Sequence, residues 1–350
     1  MSAIAERLLA WYDGHGRHDL PWQSPRTPYR VWLSEIMLQQ TQVRTVMPYF
    51  ERFVDALPTL PSLAAAPLDR VLGLWSGLGY YSRARNLHRS AQICVAEHGG
   101  ELPRDAAALA ALPGIGRSTA AAILAQAWGD RHAILDGNVK RVLARHRGVE
   151  GWPGAPRVQA VLWTHAEAQT PPARVADYTQ AIMDLGATVC TRARPTCLTC
   201  PIQSDCIARR EGRIAELPTA RPRREVPTRS TTMLVARDRG GRILLERRPP
   251  VGVWAQLWSL PETGDAAAGL DALSARIGPL RHSPLQPAPF EHVFTHFRLD
   301  VVPLLLDATA TAVGIADDPD RGWFAASEWA TLGLPAPVRK LLENLPPCPG

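Results

Sequence analysis

A chain of 350 residues is longer than one ordinary domain and suits two. With 46% hydrophobic and 21% charged residues it has material for packed cores, which excludes wholesale disorder. The net charge of +6 is nearly all arginine, because Lys140 and Lys340 are the only lysines, and it favours an anionic partner such as nucleic acid.

Residues 1–22 carry charge throughout and lack the uninterrupted apolar core of a signal peptide. No apolar run reaches the length that spans a bilayer. The expected compartment is the cytoplasm, where thiols stay reduced and clustered cysteines mean metal more often than disulfide.

Up to Glu216 the sequence reads as helices joined by short Gly/Pro turns, with helices predicted over 28–53, 68–74, 82–98, 105–112 and 118–128. The stretch LPTARPRREVPTR, residues 217–229, has no apolar period and reads as a linker rich in proline and arginine, suited to touching DNA. Beyond it, STTMLVARD, GRILLERR, WAQLWSLP and HFRLDVVPLLL predict short strands, and 266–277 and 336–344 predict helices. The expected architecture is an all-α domain over 1–216 followed by an α+β domain over 230–350.

Four of the six cysteines, Cys190, Cys197, Cys200 and Cys206, form C-x6-C-x2-C-x5-C. That set suits either a structural zinc or a cubane iron–sulfur cluster. Zinc sites usually pair two C-x2-C knuckles, and only Cys197 and Cys200 make one. Cys94 and Cys348 stand alone and are read as inert. In LPGIGRSTA, Pro113 ends a helix, and Gly114 and Gly116 allow a tight hairpin before a helix that begins near Ser118. Open N–H groups there can hold a phosphate without reading sequence, the logic of the helix-hairpin-helix.

Two acidic residues stand out. In ILDGNVKR, Asp136 is either the cap of the helix that follows or, if Asn138 caps instead, a carboxylate free to face a cleft. In VWLSEIMLQQTQV, Glu35 is the single charge among apolar neighbours. It is either a plain helix-surface glutamate or a carboxyl that resists ionising and serves as a general acid. A pair of carboxyls suits cleavage of a glycosidic bond: one protonates the leaving group and the other stabilises the sugar cation.

The segments PYRVWLSEIMLQQTQV, WSGLGYYSRARNL, LPGIGRSTA, ILDGNVKRVLAR and MDLGATVCT, with the cysteine loop and Pro201, resemble the MutY-type adenine DNA glycosylases of the endonuclease III superfamily. The resemblance implies an all-α helix-hairpin-helix domain with a [4Fe-4S] loop, one cluster per chain held by the four cysteines, and a Nudix-like α+β domain. It implies that Glu35 protonates adenine and Asp136 stabilises the sugar, with Asn138 and Ser118 beside them. Gln40, Leu78 and Tyr80 would contact the duplex around an extruded base, a step that chemistry on a stacked base requires. Relatives that also cut the strand carry lysine where this chain has Ser118. Serine forms no Schiff base, so base removal without strand cleavage is expected.

Phe294-Thr295-His296-Phe297 resembles the family's lesion-reading loop, with Thr295 where serine is usual. A hydroxyl there can accept from N7–H of 8-oxoguanine, a donor that guanine lacks. No acidic run resembles the Nudix metal box, which argues against pyrophosphate hydrolysis. The expected partner is double-stranded DNA bearing 8-oxoguanine:adenine or guanine:adenine mispairs, met by a monomer in the bacterial cytoplasm, at the nucleoid and away from membranes. The competing readings are an endonuclease III-like lyase acting on oxidised pyrimidines and a non-catalytic iron–sulfur DNA-binding protein. Ser118 and the C-terminal domain oppose the first, and the pairing of Glu35 with Asp136 opposes the second.

Overall fold

A computed structural model describes residues 2–222, 226–294, 296–308 and 318–346, so Thr295 and Cys348 lie outside the described residues. The helices in chain order are α1 (Ala3–His15), α2 (Pro28–Leu38), α3 (Val43–Ala56), α4 (Leu60–Ala65), α5 (Leu68–Leu74), α6 (Ser82–Glu97), α7 (Ala106–Ala111), α8 (Arg117–Trp128), α9 (Gly137–Arg147), α10 (Pro156–Gln169), α11 (Val175–Asp184) and α12 (Ile207–Arg210). The strands β1 (Thr228–Arg237), β2 (Ile243–Arg247), β3 (Trp258–Ser259) and β4 (Glu262–Thr263) follow, then α13 (Ala266–Ile277), β5 (Leu280–His282), β6 (Phe290–Val293), β7 (Arg298–Ala308), β8 (Arg321–Phe324), α14 (Ala326–Trp329) and α15 (Ala336–Glu343). Among the described residues no helix is long and apolar enough to cross a membrane.

The chain forms two compact units, residues 1–65 with 86–223 and residues 66–85 with 224–350. The first is all helical. Leu8 and Tyr12 of α1, Ala121 and Ala122 of α8, Val142 and Leu143 of α9, and Tyr178 and Ile182 of α11 bury one another in its core. The helix expected over 28–53 is two helices. Gln40 takes a φ of +59° and the Thr41 N–H closes onto the Leu38 carbonyl, which turns the chain between α2 and α3. A non-glycine residue so placed costs about 1–3 kcal/mol and persists where its surroundings hold it, most often at functional sites.

The second unit is built on an eight-stranded mixed sheet of order β3-β2-β1-β7-β5, with β4 on β1, β6 on β7 and β8 on β2. β1 and β7 run parallel from Thr228↔Arg298 to Arg237↔Asp307. Strand alternation serves both faces. Met233 and Val235 pack with Val338 and Leu342 of α15, and Leu234 and Ala236 pack with Leu273 and Ile277 of α13. WAQLWSLP gives only the two-residue β3, because Trp254 and Gln256 adopt φ of +55° and +58° and break the extended run before it.

Candidate active site

An open cleft of about 1320 Å³ in the first unit is lined by Glu35, Gln40, Ser118, Asp136 and Asn138, along with Arg17, Arg141 and Gln180. Three elements deliver the acidic pair and the serine. α2 buries Val31, Trp32, Leu33, Ile36 and Met37 and thereby turns Glu35 to the cleft wall. Gln126 of α8, only 4% exposed, donates its Nε2 to Glu35 Oε1 at 2.7 Å. Burial and then the nearby Asp136 charge push the Glu35 carboxyl up to about 7, with the Gln126 hydrogen bond pulling the other way. A carboxyl so tuned holds a proton near neutral pH and can pass it on.

Asp136 is itself the N-cap of α9, the first of the two alternatives that the sequence left open between it and Asn138. Its Oδ1 accepts from the Val139 N–H at 2.7 Å. Capping occupies one oxygen only. Oδ2 accepts from Asn138 Nδ2 at 3.4 Å, and Arg141 Nη2 donates to Asn138 Oδ1 at 2.8 Å. Burial pushes the Asp136 carboxyl up, while the Val139 and Asn138 backbone and the Arg141 and Lys140 charges pull it down. The Ser118 hydroxyl accepts from the Leu135 N–H at 2.9 Å and so pins the extended stretch that carries Asp136 into the cleft.

The hairpin before α8 has Gly114 at φ +80°, where a Cβ would come within 3.0 Å of Asn86 Cβ. α8 starts at Arg117, one residue earlier than expected, and its cap Gly116 supplies no side-chain hydrogen bond. Gly114 and Gly116 are exposed, and the first-turn N–H groups of a helix have no partner within it, as phosphate binding requires. The two glycines do not line the cleft.

The four cysteines line one cavity with the apolar side chains Val142, Leu185, Val189 and Ile202. Burial comes first in pushing the Cys200 thiol up to about 11, and the other three cysteines add to it. Arg145 of α9 points Nη1 at Cys190 Sγ, 3.4 Å away. Four sulfurs on one apolar cavity with a guanidinium beside them fit a polyanionic iron–sulfur cluster. Among the described residues no group of three or more His, Cys, Asp or Glu side chains is arranged to hold a single metal ion.

Leu78, Tyr80 and His296 belong to the second unit. Tyr80 is 47% exposed with φ of +49°, whereas Leu78 is 6% exposed, so its side chain offers DNA no surface in this structure. His296 is exposed beside Phe294 and Phe297, whose rings stack at 4.5 Å. Trp254 lies 5.4 Å from the Phe294 ring.

The sequence reading missed Gln126, Arg141, Arg145 and Gly186. Gln126 is the one polar residue in the apolar run AAAILAQAW, the same signature that marked Glu35. Arg141 and Arg145 are four apart and so share one face of α9. Arg141 donates to the carbonyls of Cys190 and Gly186, both at 2.7 Å. Gly186 leaves no room for a side chain, since a Cβ would lie 2.6 Å from Asn138 Cβ.

Residues 33–168 match the HhH-GPD superfamily of base excision DNA repair proteins, and residues 232–344 match the NUDIX domain. Among solved structures, a thermostable thymine-DNA glycosylase superposes with a TM-score of 0.55 at 27% identity, covering 59% of this chain and 95% of that one. An endonuclease III–DNA complex shares the fold, with a TM-score of 0.51, 22% identity, and 60% and 94% coverage. The adenine DNA glycosylase of Buchnera aphidicola subsp. Acyrthosiphon pisum is 35% identical over 344 residues, 97% of each chain. The human adenine DNA glycosylase is 34% identical over 98% of this chain and 74% of the human protein. Likeness of that extent, running through both units, makes the chain a member of the adenine DNA glycosylase family of base excision repair enzymes.

Proposed function

We propose that the enzyme removes adenine paired with 8-oxoguanine or guanine by hydrolysis of the N-glycosidic bond and leaves the strand intact. The observation that carries this reading is the meeting in one cleft of Glu35, raised to about 7, with Asp136 and Ser118. Glu35 gives its proton to N7 of the extruded adenine, and the C1′–N9 bond breaks with its electron pair moving to the base. The ionised Asp136, fixed by Val139 and Asn138, faces the sugar cation until water adds at C1′. The water's second proton passes to a carboxylate of the pair.

Base removal without strand cleavage follows from the residue at 118. A hydroxyl that accepts from Leu135 N–H offers no amine, and the one lysine of the helical portion is Lys140. Cys190, Cys197, Cys200 and Cys206 would hold one [4Fe-4S] cluster, which supplies a rigid charged fold for the loop. Around it, Arg141 and Arg145 of this chain tie the loop to the helix that Asp136 caps. Gly114 and Gly116 would bind phosphate, and Gln40 and Tyr80 would enter the duplex. Residues 230–350 would read the lesion through Thr295 and His296, with 1–216 catalytic, 217–229 joining them, and the chain acting as a monomer in the cytoplasm.

The test is single-turnover adenine release from duplexes with adenine opposite 8-oxoguanine, guanine or thymine. Release from the first two that is abolished by Glu35→Gln, with mispair binding retained, is the expected result. Equal release from the adenine:thymine duplex would overturn the mispair assignment.

A further inference from the structure

The stretch 66–85 lies between helices of the catalytic unit in sequence, yet it packs with the C-terminal residues. Its contacts are specific. Asp69 of α5 takes a two-pronged ion pair from Arg247 of β2, at 2.7 and 2.8 Å. Gly73 presses on the backbone: a Cβ there would lie 2.5 Å from the Thr331 carbonyl oxygen. Gly333 presses back, since its Cβ would meet Leu72 Cβ at 2.8 Å. Neither position has space for even a methyl group.

The turn after α5 is held from the same side. The Tyr81 hydroxyl accepts from the Gly77 N–H at 3.2 Å and donates to the Leu334 carbonyl at 2.7 Å. Arg339 of α15 donates to Ser76 Oγ at 3.0 Å and to the Leu332 carbonyl at 2.9 Å. Within the turn, Trp75 Nε1 and Arg83 Nη2 both donate to the Gly79 carbonyl at 3.1 Å. At its tip stands Tyr80, half exposed and at positive φ, a conformation that its neighbours must impose.

We propose that the C-terminal residues 331–339 mould the 76–80 turn, with Tyr81 and Arg339 as positioning residues, so that the C-terminal half of the chain sets how Tyr80 meets the duplex. The inference rests on Tyr80 entering DNA, as proposed above. The C-terminal portion then acts on base extrusion through the shape of the 76–80 turn as well as through its own lesion-reading loop.

A double-mutant cycle tests it, with wild type, Tyr81→Phe, Tyr80→Ala and the double variant in full-length protein. Single-turnover adenine release opposite 8-oxoguanine and hydrogen exchange of residues 76–80 are the readouts. Tyr81→Phe, which removes one hydroxyl bridging Gly77 and Leu334, is expected to slow release about fivefold, the scale of one net hydrogen bond. In the Tyr80→Ala background it should add nothing, because both changes act through one side chain. Exchange in the turn should quicken. Arg339→Met, which spares the core, should behave alike. Equal losses from Tyr81→Phe in both backgrounds, or no loss at all with Tyr80 present, overturn the mould. If Tyr80→Ala itself leaves release unchanged, the reading of Tyr80 fails, and the exchange decides the mould separately: unaltered protection of 76–80 in Tyr81→Phe and Arg339→Met overturns it.

Discussion

The Gln126 amide donates to Glu35 Oε1 at 2.7 Å, so a buried polar residue of the hairpin's second helix opposes the rise that burial and then Asp136 impose on the carboxyl of α2. If Glu35 gives its proton as proposed, excision should fall as pH rises through about 7, while the need for an ionised Asp136 keeps it from being full in acid. Gln126→Leu removes a bond that stabilises the carboxylate, and the falling limb should move to higher pH. A single-turnover pH profile of both proteins measures this, and a limb that moves down would refute the assignment.

The same carboxyl has a signature in stability. Its folded pKa is raised from 4.5, so folding favours the protonated form. That contribution is complete below about 4.5 and is lost as pH rises through about 7. Glu35→Gln, which cannot ionise, should match wild type near pH 4 and exceed its Tm at pH 8. Thermal melts across that range give the comparison, and parallel curves would contradict it.

Arg141 joins Asn138 Oδ1 to the carbonyls of Gly186 and Cys190, and so links the Asp136 helix to the cysteine loop. Arg141→Leu should lower excision by about tenfold or more, the usual scale for an outer-shell partner. Arg141→Lys should restore little, because one ammonium cannot reach three acceptors with the fork geometry. Iron analysis belongs beside the activity: about four irons per chain are expected in wild type and fewer in Arg141→Leu. Stoichiometric zinc in place of iron would refute the cluster.

Ser118→Lys should add strand cleavage to base removal, seen on a denaturing gel without alkali. It also removes the acceptor of the Leu135 N–H, a loss on the order of 1 kcal/mol, so the variant should melt earlier than wild type. Wild type should give abasic sites that break only with alkali or heat. Alkali-independent cleavage by wild type that survives Lys140→Ala would overturn that reading.

Lesion preference is best tested by point changes. Cutting the chain after Arg229 would remove the partners of Asp69, Gly73 and Tyr81 along with residues 294–297. His296→Ala should narrow the rate ratio between 8-oxoguanine and guanine opposite adenine by about tenfold. An unchanged ratio in a folded protein would place lesion reading elsewhere.

The sequence by itself determined the families of both halves, and it singled out Glu35, the Asp136 turn, the glycine hairpin and the cysteine set. Each depends on local order: a lone charge in an apolar helix, glycines at fixed spacing, thiols within seventeen residues. Tertiary structure decided what local order cannot encode. Periodicity ran through Gln40 and predicted one helix, because the +59° turn there is imposed by what surrounds it. Asp136 rather than Asn138 took the cap, since that choice depends on where the Leu135 stretch is pinned by Ser118, seventeen residues earlier in the chain. Residues 66–85 read as part of the helical domain by composition, yet they pack with residues more than 160 positions away. Their ties, such as Arg247 on Asp69 and Arg339 on Ser76, form only once the sheet and its helices bring those arginines to α5 and the turn that follows it.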